Sequence, residues 1–284
     1  MTPSPRLLVI GAHPDDAEFR SGGLAALYRM LGHDVRFVSV TDGGAGHHFA
    51  PGPELSHRRR AEAESAAATL GFQAEVWDHA DGRLETSLAR REQVIRLIRS
   101  YRPDLVLTHR PNDYHPDHRA TSLLVQDAAY LLTVPALCPD VTHLTRDPVI
   151  AYMSDEFTRP YAFDPTVVID VGPVWDAKIA MLHEHKSQFY EWLPFNGRYT
   201  GEVPGDDPAR LAWLSERTAR DAERLAERFR DRLLVLYGAK RGREVRRVEA
   251  FEACEYGAPL DGPARAFLFP FLATVPRDAN TGRG

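Results

Sequence analysis

The sequence predicts an α/β protein built on a doubly wound, mainly parallel sheet with a decorated C-terminal part. Two observations carry this expectation. Short apolar runs alternate with helical stretches from Arg6 to Thr108, the pattern of repeated strand–helix units. Two dense clusters, His13-Pro14-Asp15-Asp16 and His115-Pro116-Asp117-His118, each come just after an apolar run. Open α/β sheets place their ligands there, at the carboxyl ends of the strands.

Arg6–Gly11 (RLLVIG) has the length and composition of a buried parallel strand. Residues 22–31 read as a helix, with Leu24, Leu27, Tyr28 and Leu31 on one face and Gly32 ending it. Asp34–Thr41 is a second strand, followed by the flexible loop Asp42-Gly43-Gly44-Ala45-Gly46. Residues 56–70 have helical spacing and stop at Gly71, and residues 74–77 form a short third strand. Leu88–Tyr101 is an amphipathic helix closed by Pro103, and residues 104–108 give a fourth strand.

The second half is less regular. Residues 148–153 and 166–171 read as strands and residues 174–186 as a helix. Residues 188–205, aromatic and rich in turn formers, are expected to form a surface loop or lid. Residues 208–236 read as one long charged helix, residues 247–253 as a late strand or connector, and residues 278–284 as a frayed tail. With no repeat and no linker, residues 1–277 read as one domain.

Composition narrows the functional classes. Of 284 residues, 43% are hydrophobic and 26% charged, ordinary material for a sizeable core. The net charge of −5, with basic residues scattered among acids, argues against nucleic acid as a partner. Cys138 and Cys254 are far apart, which fits a reducing compartment. The N-terminus shows no leader pattern, and no apolar run reaches the ~18 residues that a membrane span needs. A cytoplasmic location is the expectation.

His13 and Asp16 offer an imidazole nitrogen and a carboxylate oxygen, standard ligands of divalent ions. The side chain of Asp15 points away from that of its neighbour and is free to act on a water as general base. The plainer use of either aspartate is as a cap for the following helix. His115 and His118, three apart at a helix start, lie on one side, so one can bind metal while the other faces the reacting centre. The plainer reading is a polar helix start with Asp117 on the dipole. Together the clusters supply the three protein ligands of a catalytic site. Gly11, Gly22 and Gly23 do not have the spacing of a dinucleotide fingerprint. His47 and His48 read as solvated loop residues. Tyr190, Trp192 and Phe195 fit either core packing or stacking on a sugar ring.

Further stretches join these motifs: Gly22-Gly23, Arg59-Arg60-Ala61-Glu62, Ala67-Ala68-Thr69-Leu70-Gly71, Arg102-Pro103-Asp104, His185-Lys186-Ser187-Gln188 and Glu249-Ala250-Phe251. Over residues 6–253 the chain resembles the PIG-L/LmbE-like family of zinc-dependent N-deacetylases. The resemblance implies a Rossmann-like sheet and removal of the N-acetyl group from an N-acetylglucosamine-type sugar or conjugate by metal-bound water. It makes His13, Asp16 and His118 the ligands of Zn2+ (or another divalent ion such as Fe2+) and Asp15 the base. His115 would stabilise the oxyanion or protonate the leaving amine, with Asp117 orienting it. Arg59 matches the arginine that holds the sugar, and Tyr114 and His185 are assigned to the substrate pocket. Ala17 stands where many members have Glu, with Glu18 next. The expected partner is a small amino-sugar conjugate; the oligomeric state, a homo-oligomer included, stays open. The alternatives are hydrolysis of another amide or ester at the same metal site, and a non-catalytic metal-dependent binding protein.

Overall fold

The computed structural model describes residues 4–272; the tail expected at residues 278–284 lies outside the described residues. In chain order the elements begin β1 (Arg6–Gly11), α1 (Asp16–Met30), β2 (Asp34–Thr41), α2 (Pro53–Ala68), β3 (Gln73–His79) and α3 (Leu88–Tyr101). β4 (Leu105–Thr108), α4 (Pro116–Ala129), β5 (Val149–Met153), β6 (Val167–Asp170) and α5 (Trp175–Glu184) follow. The chain continues with α6 (Leu193–Asn196), α7 (Asp207–Arg228), α8 (Arg230–Glu244), β7 (Val248–Ala253) and α9 (Gly262–Leu268).

The seven strands form one sheet in the order β3-β2-β1-β4-β5-β7-β6. β3 to β5 pair in parallel, and β7 runs antiparallel between β5 and β6. This is the doubly wound, mainly parallel sheet that the sequence predicts. β1 and β4 lie side by side at its centre, with Leu7 opposite Leu105 and Ile10 opposite Thr108. Chain order reverses between these strands, which opens a crevice beyond their carboxyl ends. Both strands read as unbroken apolar runs because helices cover both faces. Leu7 and Val9 pack into one core layer, Leu8 and Ile10 into the other.

Three segments differ from the sequence reading. α1 begins six residues before the expected 22, because apolar periodicity starts only after the polar turn that carries the site. Its glycines permit close contact instead of ending it. A Cβ on Gly23 would lie 2.5 Å from Val171 Cγ1 and 2.9 Å from Glu249 Oε1. Residues 188–205 are not simply a surface loop: a wide π-type turn over Ser187–Trp192 runs into α6, and Phe189 and Tyr190 are buried in the main core. The charged helix is two helices. Phe229 leaves helical geometry between α7 and α8, and Gly238 kinks α8 with φ of 76°.

Candidate active site

Both clusters lie at the carboxyl edge of the central strands, brought there by the turns that follow β1 and β4. In the first turn the His13 N–H donates to Asp16 Oδ2 at 2.7 Å, which folds the two side chains toward each other. Asp15 heads α1 at φ of 130° and makes no side-chain cap bond. That backbone region is strained for any residue with a Cβ, and such strain persists where surrounding contacts hold it. The cap reading of Asp15 therefore fails.

His13, Asp16 and His118 meet in a triangle. His13 Nδ1 lies 3.4 Å from Asp16 Oδ2 and 3.2 Å from His118 Nε2. His118 Nε2 lies 3.4 Å from Asp16 Oδ1. Tetrahedral coordination with bonds of ~2.0–2.1 Å sets ligand atoms ~3.3–3.4 Å apart; the two imidazole nitrogens stand 3.2 Å apart and each faces a different oxygen of Asp16, so the three side chains are close enough to share one divalent ion. Two imidazoles and a carboxylate also leave a fourth position open. Three further trios gather close enough to hold an ion among the described residues: His13 with His115 and His118, Asp16 with His109 and His118, and His13 with Asp81 and Asp117.

The opposite edge of His13 separates first from outer partners. Its Nε2 faces Asp81 Oδ1 at 3.2 Å and Asp117 Oδ2 at 3.3 Å. Donation from Nε2–H to these carboxylates leaves the Nδ1 lone pair turned into the triangle. Burial opposes a charged ring at His13, yet Asp117, Asp16 and Asp81 outweigh it and hold its pKa well above the ordinary value. The surroundings thus favour positive charge at this point. Asp113 Oδ1 lies 3.0 Å from His118 Nδ1, bent from the ideal hydrogen-bond line.

His115 is the N-cap of α4, its Nδ1 accepting the Asp117 N–H at 3.2 Å. That bond places the ring proton on Nε2. Burial, with His13 and His118 nearby, keeps the His115 pKa below its usual value, so the ring is a neutral donor. The Asp117 carboxylate does not reach His115. It accepts N–H bonds from Gly82 at 2.7 Å and Leu84 at 3.2 Å and faces His13. Orientation of His115 comes from the Asp117 backbone, and the carboxylate serves His13 instead.

Arg59 also departs from its expected role. It is 3% exposed, and its guanidinium donates to Pro14 O at 2.5 Å, Asp15 Oδ1 at 3.0 Å and Gly43 O at 3.1 Å. Every one of these contacts is internal, so Arg59 braces Asp15 and does not face the substrate. Desolvation raises the Asp15 pKa most; Arg59 pulls it down, Asp16 pushes it up, and the result is about 6. His185 is wholly buried with Nε2 3.3 Å from Glu18 Oε1, shut away from the substrate space assigned to it. Tyr114 is 70% exposed at the cavity rim, its ring edge-on to His115 and His118.

The sequence reading overlooked Asp81 and His109. Asp81 follows β3 and is held near a pKa of about 2; burial opposes this, but His13 and the Ala45 N–H prevail. His109 follows β4, stacks on His118 with centroids 4.0 Å apart, and accepts the Ala12 N–H at 3.0 Å. Its Nε2 is 3.2 Å from Asp16 Oδ2. Burial and the neighbouring His118 lower its pKa to about 4, keeping it neutral. The signal available was position: each lies at the carboxyl end of a parallel strand beside β1 or β2.

The motifs on α2 and the π-type turn form a joint beside the site. Glu62 accepts the Ser187 N–H at 3.0 Å and its hydroxyl at 2.5 Å, and Gln188 donates to Gly46 O at 3.3 Å. His47, expected to be solvated, is buried with Nε2 2.9 Å from Glu191, and His48 stacks on Phe195 with centroids 3.9 Å apart. A cavity of about 580 Å³ opens from Asp15, Asp16 and His118 toward α7.

An α/β sheet with a cation-favouring His/Asp triangle at its switch point, and a carboxylate and a neutral imidazole beside it, defines a candidate metallohydrolase centre. Residues 8–129 match the family described as PIG-L: GlcNAc-PI de-N-acetylase, so that part of the chain is similar to this family. It is 28% identical over 205 residues to diacetylchitobiose deacetylase of Thermococcus kodakarensis, covering 67% of this chain and 74% of the relative. It is also 28% identical over 202 residues to 4-oxalmesaconate hydratase of Pseudomonas putida, covering 67% and 77%. The N,N'-diacetylchitobiose deacetylase structure from Pyrococcus horikoshii shares the fold, with a TM-score of 0.67, 22% identity, and 89% and 84% of the two chains covered. Among the described residues no helix is long and apolar enough to cross a membrane.

Proposed function

We propose that this protein is a metal-dependent N-deacetylase acting on an N-acetylglucosamine-type sugar or conjugate. The observation that carries this reading is the triangle of His13, Asp16 and His118 with Asp15 beside it. His13 Nδ1, Asp16 and His118 Nε2 hold the ion, Zn2+ being the choice that two imidazoles and a carboxylate suit. A bound divalent ion supplies Lewis acidity toward the acetyl carbonyl and a lower pKa for a water in its open position. Asp15, raised toward neutrality by burial, takes the proton from the attacking water. His115 presents Nε2–H to the oxygen that gains charge, a contact worth roughly 3–4 kcal/mol at such sites. Asp81 and Asp117 fix the tautomer of His13, and the His13 N–H holds Asp16 in place.

The hydratase among the relatives favours one second reading, addition of water to a carbon–carbon double bond at the same site. The test is amine release from N-acetylglucosamine conjugates, run beside loss of ultraviolet absorbance from unsaturated diacids. The expected result is amine release that falls at least ~100-fold in Asp15→Asn while metal content stays at the wild-type level. Diacid hydration without amine release overturns the deacetylase reading; full amine release by Asp15→Asn overturns the role of the base.

A further inference from the structure

The cavity is larger than the reaction alone requires, and its second wall differs in charge from its first. Its 580 Å³ lies in the middle of the ~300–1,000 Å³ range of small-molecule sites, which leaves room for a group attached to the sugar. Arg20 lines it one helical turn beyond Asp16, on the same face of α1. Arg224 and Arg228 line it from α7.

The cations of this lining are not equivalent. Lys178 is neutralised by Glu249 at 2.7 Å, and Arg110 by Asp155 at 2.7 Å, both in buried pairs. Arg224 is taken up by Asp221. Arg228, exposed at the cavity mouth and 4.9 Å from the Phe229 ring centre, donates to the Asp155 carbonyl at 3.0 Å and has no carboxylate partner among the described residues. Arg20 is half-buried, its guanidinium 4.9 Å from the Phe19 ring centre and with no carboxylate partner among the described residues. A ring face compensates a guanidinium only in part. Among the described lining residues the acid without a salt-bridge partner is Glu156, which is exposed. The wall thus offers two guanidinium groups without a carboxylate partner among the described residues, Arg20 one helical turn from Asp16 and Arg228 across the cavity on α7.

We propose that the substrate carries an oxyanion, a carboxylate or a phosphate, on the group attached to its sugar, and that Arg20 with Arg228 recognises it. Guanidinium groups suit both anions through paired N–H donors. This inference rests on the deacetylase reading and deepens it.

The test measures kcat/KM for amine release by the zinc-loaded full chain on three N-acetylglucosaminides with aglycones of matched size, bearing a carboxylate, a phosphate or a carboxamide. The expected result is a preference of about tenfold or more for at least one anionic aglycone over the carboxamide. The carboxylate and phosphate arms identify which anion is preferred. In Arg20→Ala the ratio collapses toward one, and Arg20→Lys recovers part of it. Equal turnover of all three glycosides, or a preference that survives Arg20→Ala and Arg228→Gln together, overturns the anion proposal while the deacetylase reading stands. No turnover of any of them overturns both.

Discussion

Replacing Arg59 by methionine tests whether this residue braces the base or binds the substrate. Methionine keeps much of the buried stem and deletes all three donor contacts, to Pro14 O, Asp15 Oδ1 and Gly43 O. The Asp15 contact is a charge-assisted bond of the kind worth ~1.5–3 kcal/mol. Lost in the transition state, it lowers kcat by roughly 10- to 150-fold. The two carbonyl contacts add about 1 kcal/mol each to the stability loss, so unfolding should be easier by about 3.5–5 kcal/mol. The direction of the pH effect follows from charge. Arg59 lowers the Asp15 pKa, so its removal raises that pKa and moves the acid limb of the rate profile to higher pH. Steady-state amine release across pH, with denaturant unfolding in parallel, reads all three effects. A variant with raised KM, unchanged kcat and an unmoved acid limb would refute the brace and return Arg59 to the substrate.

Three other outcomes follow from the geometry. Asp81→Asn removes a carboxylate from His13 Nε2 and should weaken metal affinity about 10- to 100-fold, measured by competition with a chromogenic chelator; unchanged affinity would leave Asp81 without a role. Treatment with a strong chelator should abolish amine release, and added Zn2+ should restore it; activity that survives complete metal removal would end the metallohydrolase reading. Gly23→Ala places a Cβ 2.5 Å from Val171 Cγ1, overpacking that costs ~1–3 kcal/mol against ~1 kcal/mol gained in helix propensity. A net loss of about 1 kcal/mol should appear in denaturant melts, and a more stable variant would show that α1 can shift at no cost.

Much of the sheet was legible because parallel strands announce themselves as apolar runs between helical stretches. The strands that frame the crevice follow from local pattern alone, and so does the meeting of the two His/Asp clusters beyond their ends; the choice of His118 over His115 beside His13 and Asp16 rests on the family resemblance. What escaped depends on distance along the chain. Nothing local tells Asp81 or His109 from an ordinary loop residue; their roles come from facing His13 and Asp16 across neighbouring strands. Arg59 is read as a substrate residue from its match to the family's arginine, and His185 from its place in a family-like stretch. Packing puts both beneath the cavity floor, where one meets Asp15 and the other Glu18. The break at Phe229 is equally silent, since the charged pattern runs through it.

β7 is among the last of the described elements, yet it lies inside the sheet and its Glu249 accepts the N–H groups of Gly23 and Leu24 at 2.7 and 2.8 Å. The helix that carries Asp16 is therefore fastened by a residue made more than two hundred positions later. During translation every member of the His/Asp cluster leaves the ribosome well before this clasp exists, and contacts so remote in sequence close slowly. A nascent chain stopped short of Val248 holds the chemistry without the fastener. The fastening of the catalytic helix thus waits until the chain has been made past Glu249.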